Sequence, residues 1–309
     1  MNGPGRLVRT DVRLDPTKWA LPADTYRLRS PASFLQDVLD LVAEPGCRGT
    51  EMPAPKTHGM LQFRPAEVSL WAGYKGSYKS TFLSELAAHW ACTGTKVAIA
   101  SLEMPGAVLL KKMVQQAVAK ETVDERDVLR AIEAMEQCLT IYDFTGRAPA
   151  KNLLAIMRYV ALEYGVQHFI LDNLTKVLSV DNDRSAEHQD FVNDCCLTAQ
   201  VTGLHIHLVA HCAKPENGDE RKIPGGYNIR GTGAVPDMVD NVLILWRNKE
   251  KERRMDAGTA DSVLVSEPDI RLVVDKQRNW QFEGQFNYWL QQSCLRFCEH
   301  ANREYDAFV

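Results

Sequence analysis

The chain has 309 residues, of which 45% are hydrophobic and 25% charged, with a formal net charge of −4. This is the composition of an ordinary globular protein with a full core, long enough for one large domain with a small appendage or for two modest domains. No run of about 18 apolar residues is present, which speaks against a transmembrane helix, and MNGPGRLVRTDVRLDPTKW at the amino terminus has no apolar segment of the secretory type. The acidic balance does not advertise nucleic-acid binding, although a ring can hide a basic pore inside an acidic exterior. The eight cysteines are scattered and form no CxxC pair, with Cys195–Cys196 vicinal and Cys294 and Cys298 four apart. Zinc and redox chemistry are therefore not indicated, and reduced cysteines in a cytoplasmic protein, with no membrane partner, are expected.

In chain order, the first 55 residues are rich in Pro and Gly and carry one helix, about residues 31–45, in SPASFLQDVLDLVAEPG. Ser33 is its candidate N-cap, Pro45–Gly46 its stop, and Phe34, Leu35, Val38, Leu39, Leu41 and Val42 form its apolar face. That face needs a partner, either its own domain or a neighbouring subunit. From residue 67 short apolar runs alternate with helical stretches. EVSLWAG, KVAIASLE, LTIYDF (139–144), HFILDN, HIHLVAH, DNVLILWRN and DIRLVVDKQ read as strands, and FNYWLQ as a further candidate. The intervening stretches STFLSELAAHWACTG, PGAVLLKKMVQQAVAK, about 124–138, AKNLLAIMRYVALEYG and 184–203 read as helices. Strands alternating with crossover helices predict an α/β fold with a mainly parallel sheet covered on both faces. The segment 249–262 reads as a charged surface loop, and the expected division is an arm at 1–55, a catalytic domain at 56–295 and a tail at 296–309.

GYKGSYKST (73–81) nearly fits the phosphate-binding pattern G-x-x-x-x-G-K-[ST], with Tyr78 where the second glycine belongs. The loop lies between a strand and a helix, where backbone N–H groups and the helix start face an anionic chain. Gly73, Gly76, Ser77, Tyr78, Lys79, Ser80 and Thr81 are the candidate nucleotide-binding residues. Lys79 would neutralise the β/γ-phosphates and the Ser80 hydroxyl would hold Mg²⁺. Asp172 closes an apolar strand and suits the second Mg²⁺ position; Glu103, at the end of the strand after the loop helix, suits a general base. A tyrosine at position 78 has either to relax the backbone or to accept roughly 1–3 kcal/mol of strain. A slightly altered loop that still binds ATP or another NTP is expected.

The succession GYKGSYKST, ASLEMP, FILDNL, HLVAHCAKP, IRGTGAVPDMVDNVLILWRN and DKQRNW resembles the helicase domain of the DnaB/Twinkle/phage primase–helicase group, over about residues 56–290. These are RecA-type, ring-forming replicative helicases, so the resemblance implies a RecA-like P-loop NTPase with ATP and Mg²⁺ as cofactors. It also implies single-stranded DNA as partner, a homo-hexamer or heptamer, a separate primase or loader, 5′ to 3′ movement, and the cytoplasm of a bacterial or phage-infected cell. It assigns His211 as the sensor of the γ-phosphate, and Lys276 and Arg278 as a lysine and an arginine finger reaching a neighbour's nucleotide. Arg247 matches a position near the subunit interface and the nucleotide. The stretch 212–230 matches a pore-lining loop, with Lys214, Arg221, Lys222, Gly226 and Arg230 as candidate DNA contacts. The helix at 31–45 matches a linker that packs on the adjacent subunit. Two departures stand out, namely Tyr78 and the short arm in place of a larger amino-terminal domain. The alternatives are a RecA-type recombinase or regulatory DNA-binding ATPase without unwinding, and an ATP-binding scaffold with hydrolysis weakened at Tyr78.

Overall fold

The computed structural model describes residues 30–43, 49–178, 184–213, 221–229, 234–302 and 305–309. The chain divides into two units, Met1–Cys47 and Arg48–Val309. In the first, a 3₁₀ turn at Pro31–Phe34 runs into α1 (Leu35–Ala43). Ser33 is not its N-cap, because its hydroxyl donates back to Ser30 O inside the turn at 2.7 Å. Phe34, Leu35, Val38, Leu39 and Val42 are all exposed.

The second unit opens with a small ribbon, β1 (Thr50–Glu51) against β2 (Gln62–Phe63). Then follow β3 (Val68–Ala72), α2 (Lys79–Cys92), β4 (Val97–Ser101), α3 (Gly106–Val118), α4 (Glu125–Glu136) and β5 (Leu139–Ile141). A second small pair, β6 (Ala148–Pro149) and later β8 (Val177–Leu178), brackets α5 (Ala150–Tyr164) and β7 (His168–Asp172). After these come α6 (Arg184–Thr202), β9 (His205–Val209), α7 (Val235–Met238), β10 (Asn241–Arg247), α8 (Lys249–Asp256) and α9 (Ser262–Ser266). The chain ends in β11 (Ile270–Gln277), β12 (Gly284–Gln291) and β13 (Arg296–Cys298).

The main sheet has the order β13-β12-β11-β10-β3-β9-β7-β4-β5. β10 through β5 are parallel, and β11, β12 and β13 extend the sheet antiparallel. Strands β3, β4, β7 and β9 are buried at every position, as continuous apolar runs covered on both faces should be. One core layer lies under α2, α3 and α4, the other under α5, α6 and α7. Because β3 and β4 are separated by β9 and β7, the strand order reverses beside β3. Ligands of open α/β sheets bind outside the carboxyl edge at such a point. No helix among the described residues is long and apolar enough to cross a membrane.

Two sequence expectations need correction. Residues 249–262 are not a loop. Asn248 and Asp261 cap α8 and α9 by accepting from Lys251 N at 3.0 Å and Leu264 N at 2.8 Å, and the buried Lys251 ammonium pairs with Asp269 at 2.7 Å. Residues 296–309 are not a tail either. Arg296 bonds Glu85 of α2 at 3.1 Å in a buried pair, and Phe308 N donates to Ala117 O of α3 at 2.7 Å. The sequence hid both because their signals are single cap residues and one long-range ion pair, with no periodicity to reveal them.

On the α2 side of the sheet, β7 and β9 carry histidines where aliphatic side chains are usual. Trp71 Nε1 donates to His207 Nδ1 at 3.1 Å, His207 Nε2 bonds His168 Nδ1 at 3.2 Å, and His168 Nε2 bonds Thr50 Oγ1 at 2.7 Å. His205 bonds Ser69 Oγ at 2.8 Å and the Arg64 carbonyl. All three rings are fully buried. The Trp71 contact requires a neutral His207, since a proton on Nδ1 would meet the indole N–H. Burial holds His205 down at about 4 and the other two well below 6.5. The unfolded chain protonates these rings near pH 6.5, so below that pH it binds more protons than the folded protein and stability falls as pH falls. Glu85 acts oppositely, because burial raises its carboxyl to about 7 and the folded state takes up its proton first. His89, which burial also holds down at about 4, adds to the three, so the histidines outweigh Glu85 and a net loss of stability is expected between pH 7 and 5.5. Urea unfolding at the two pH values should show that loss; equal or greater stability at pH 5.5 would contradict it.

Candidate active site

The loop between β3 and α2 turns as a phosphate-binding loop must. Gly76 has φ 77°, and a Cβ at Gly73 would lie 2.3 Å from Leu245 O, so only glycine fits there. Tyr78 does not relax the backbone. It takes the left-handed conformation, φ 63° and ψ 20°, at the N-cap of α2, so the loop keeps the path a glycine would give it. The cost, about 1–2 kcal/mol, is offset by packing. The Tyr78 ring lies under the Arg247 guanidinium at 4.3 Å and edge-on to Phe297 at 6.5 Å between centroids. Arg247 is fixed in turn by Glu252, with Nε to Oε1 at 2.7 Å, and donates to Gly76 O at 2.9 Å. The tyrosine therefore ties the loop to β10 and β13. Tyr78→Gly should change the affinity of a fluorescent ATP analogue by less than about threefold, since the backbone already has the glycine conformation. A larger loss would mean that the ring itself touches the ligand.

Lys79 is buried, and its ammonium donates to Gly73 O and Tyr74 O at 3.0 Å each and to Ser77 Oγ at 3.4 Å. Burial brings its pKa down to about 8, against the raising fields of Asp172 and Glu103. Asp172 ends β7 and is buried. Burial lifts its carboxyl above the usual range, the Ser80 hydroxyl that donates to it lowers it, and Glu103 raises it further. A hydroxyl and a carboxylate joined in this way are hard oxygen donors, and the carboxylate would be eased by a divalent cation, so the pair fits Mg²⁺. Thr81 is buried in the first turn of α2, where its carbonyl accepts from Gln116 Nε2 at 2.9 Å.

Glu103 stands exposed just past β4. His211 stands two residues past β9. Asn173, which sequence reasoning passed over, joins them: its Nδ2 lies 3.0 Å from Glu103 Oε1 and 3.3 Å from His211 Nε2. Its adjacency to Asp172 at the end of a buried strand was the available signal. The carboxyl edge thus brings together the loop residues, Glu103, Asp172, His211 and Arg247.

The segment after His211 is anchored to this site. Cys212 N donates to Gly73 O at 2.9 Å, Cys212 bridges Ile229, and Tyr74 OH donates to Lys222 O at 3.3 Å. Arg221 and Lys222 are exposed, whereas Lys214 and Arg230 lie outside the described residues. Gly226 does not present a free backbone. It is buried with its N–H on Asp275 Oδ2 at 3.1 Å, and a Cβ would meet that oxygen at 2.7 Å, so it seats the segment on β11.

Lys276 and Arg278 lie elsewhere. Arg278 N bonds Asp240 O at 2.8 Å, and Asp240 N bonds Val68 O, at the start of β3. The amino edge of the sheet is thus separated from the loop by the length of β3, about 15 Å at roughly 3.3 Å per residue. Lys276 Nζ donates to the carbonyls of Pro236, Asp237 and Val239 at 2.9, 3.1 and 2.8 Å. In the single chain all three of its hydrogens are used on these carbonyls, at the end of α7. Arg278 pairs with Asp240 at 3.0 Å but its side chain remains 48% exposed.

Compared with known proteins, residues 46–217, more than half of the chain, match the AAA_25 family model, an AAA domain. The chain belongs to the AAA_25 family. This AAA_25 protein is also 25% identical over 236 residues to a "DNA helicase/primase" of Enterobacteria phage T3, a match covering 70% of the chain and 40% of the relative's length. Its fold is similar to a solved ATPase domain, with a TM-score of 0.73 at 15% identity over 87% of this chain and 98% of that one. A DnaB-like replicative helicase, solved for its interactions with primase, gives 0.70 at 15% identity over 88% of this chain and 67% of that one. The fold is the RecA-like ATPase fold that the sequence led one to expect.

Proposed function

We propose that the chain is the ATP-driven motor of a replicative DNA helicase of phage, prophage or plasmid type, moving on single-stranded DNA as a ring. The observation that carries this reading is the split of the catalytic set across the sheet. Lys79, Ser80, Asp172, Glu103 and His211 share the carboxyl edge, while Arg278 sits half-exposed at the amino edge, out of reach of its own loop. With Arg278 as the finger, this placement supports a site completed between two copies, as in a hexameric or heptameric ring.

In this reading the loop N–H groups and Lys79 hold the phosphates, and Ser80 and Asp172 would hold Mg²⁺, which would supply charge neutralisation to the phosphate chain. Glu103 takes the proton of the attacking water. His211 faces the γ-phosphate, and Arg278 of the next copy stabilises charge on the transferred group. The segment anchored by Cys212 and Ile229 presents Arg221 and Lys222, with Lys214 and Arg230 as further contacts, to the DNA backbone. The exposed apolar face of α1 suits a neighbouring copy, and a separate primase or loader is a natural further partner.

The test is separation of a forked duplex by the full chain with ATP and Mg²⁺. The motor separates it and needs hydrolysis to do so. Strand pairing without separation would indicate a recombinase, and binding without either would indicate a scaffold.

A further inference from the structure

A groove of about 960 Å³ runs along α2, and no residue assigned above to nucleotide or DNA lines it. Phe82, Leu86, His89 and Thr93 lie on one face of α2 at helical spacing and form its floor, about 16 Å long at 1.5 Å per residue. Residues 52–55 and 305–308 form its sides, and Tyr288 of β12 and Phe297 of β13 complete it. Its size is that of a small-molecule site.

Two features of its lining point to a ligand. The hydroxyl of Tyr288, a side chain only 1% exposed, is buried without a hydrogen-bond partner, and so is Nδ1 of His89. Leaving such groups unpaired is costly. Burial keeps His89 neutral, down at about 4, and keeps the Tyr288 hydroxyl protonated. The Tyr288 oxygen, and Nδ1 of the His89 tautomer protonated on Nε2, therefore each offer an acceptor lone pair. The second feature is charge, since Glu85, Glu299 and Asp306 line the groove against one guanidinium, that of Arg296. Arg296 is spent on Glu85 and the Gln116 carbonyl. The nearby Lys56 ammonium, 4.0 Å over the Tyr288 ring, is spent on the Asn287 and Glu299 carbonyls. Burial still pushes the Glu85 carboxyl up to about 7, so a further cation beside it would be favourable.

We propose that this groove is a binding site for an extended aliphatic polyamine. Ammonium groups bring donors and no acceptors, which matches a lining whose unused polar atoms accept and whose spare charge is negative. The methylene segments between them lie against Phe82, Leu86, Phe297 and Phe308, as the stems of lysine side chains lie on apolar surface. The length of the floor suits a chain with two or more such groups better than a compact ligand.

The probe is spermidine, titrated calorimetrically into the full chain at one fixed ionic strength. The unsubstituted protein should bind it saturably, at one site per chain. Tyr288→Phe should weaken binding at least about tenfold, the worth of a hydrogen bond to a charged group. Thermal unfolding should be unaffected, because the hydroxyl has no partner within the protein. That variant keeps every charge, so spermidine gathered on the acidic surface would be indifferent to it. Glu299→Gln keeps an acceptor for Lys56 N and loses one charge, and should weaken binding about threefold. Absence of saturable binding to the unsubstituted protein would overturn the proposal. Parent-like affinity in Tyr288→Phe would also overturn it, leaving surface charge alone, and parent-like affinity in Glu299→Gln would overturn an ammonium as the ligand's class. Glu299→Gln decides the matter should Tyr288→Phe fold poorly.

Discussion

Glu103→Gln should bind ATP with nearly unchanged affinity and hydrolyse it about 10³-fold more slowly. General-base transfer is worth about 10²–10⁴ in rate, and the amide keeps the size of the side chain while losing its proton affinity. The substitution disturbs little else, because Glu103 is exposed past the end of β4 and its hydrogen-bond partner among the described residues is Asn173. Fluorescent-analogue binding and phosphate release, measured on the same preparation, separate the two effects. Hydrolysis near the parent rate would transfer the role of base to another group, Asp172 being next in line. A joint loss of binding and hydrolysis would mean that Glu103 holds the ligand instead of acting on water.

Arg278→Ala should likewise leave ATP binding intact, and lower hydrolysis by about 10³-fold or more, the range for a guanidinium supplied to a transferred phosphoryl group. To reach a neighbour's nucleotide, Arg278 has to leave Asp240 and the Asp237 carbonyl. A half-exposed pair of this kind holds it by at most about 1 kcal/mol. Because the residue lies a strand's length from its own phosphate loop, the activity of the parent should rise more steeply than linearly with protein concentration. Mixing Arg278→Ala with Glu103→Gln should restore part of the hydrolysis, since mixed assemblies contain interfaces where an intact arginine meets an intact glutamate. Mixed assemblies without rescue would remove Arg278 from the site.

Much of this arrangement was legible because it depends on order along the chain. Apolar runs of five residues ending in Gly73, Glu103, Asp172 and His211 place those residues at one edge once the runs form a parallel sheet, whatever the exact pairing. Features that depend on long-range approach were not legible. The left-handed Tyr78 is held by Arg247 and Phe297, 169 and 219 positions away in the chain. The histidines of β7 and β9 read as strand residues and gave no sign that Trp71 and Thr50 would keep them neutral. Lys276 carries no sequence sign of the carbonyls of Pro236 and Val239 that take its hydrogens, 40 and 37 positions away. Asn173 was passed over because an amide beside a carboxylate has no motif of its own, although it lies between the base and the histidine.

A DNA-driven motor whose sites form between copies can be tested in one titration. ATP turnover of the full chain is measured with and without single-stranded DNA across a range of protein concentrations, with the size of the assembly determined at each point. Turnover per chain should appear together with a ring-sized species and rise about tenfold on adding DNA, within the usual range of coupling between sites. Turnover per chain that is constant from monomer to assembly, and equal with and without DNA, would contradict it.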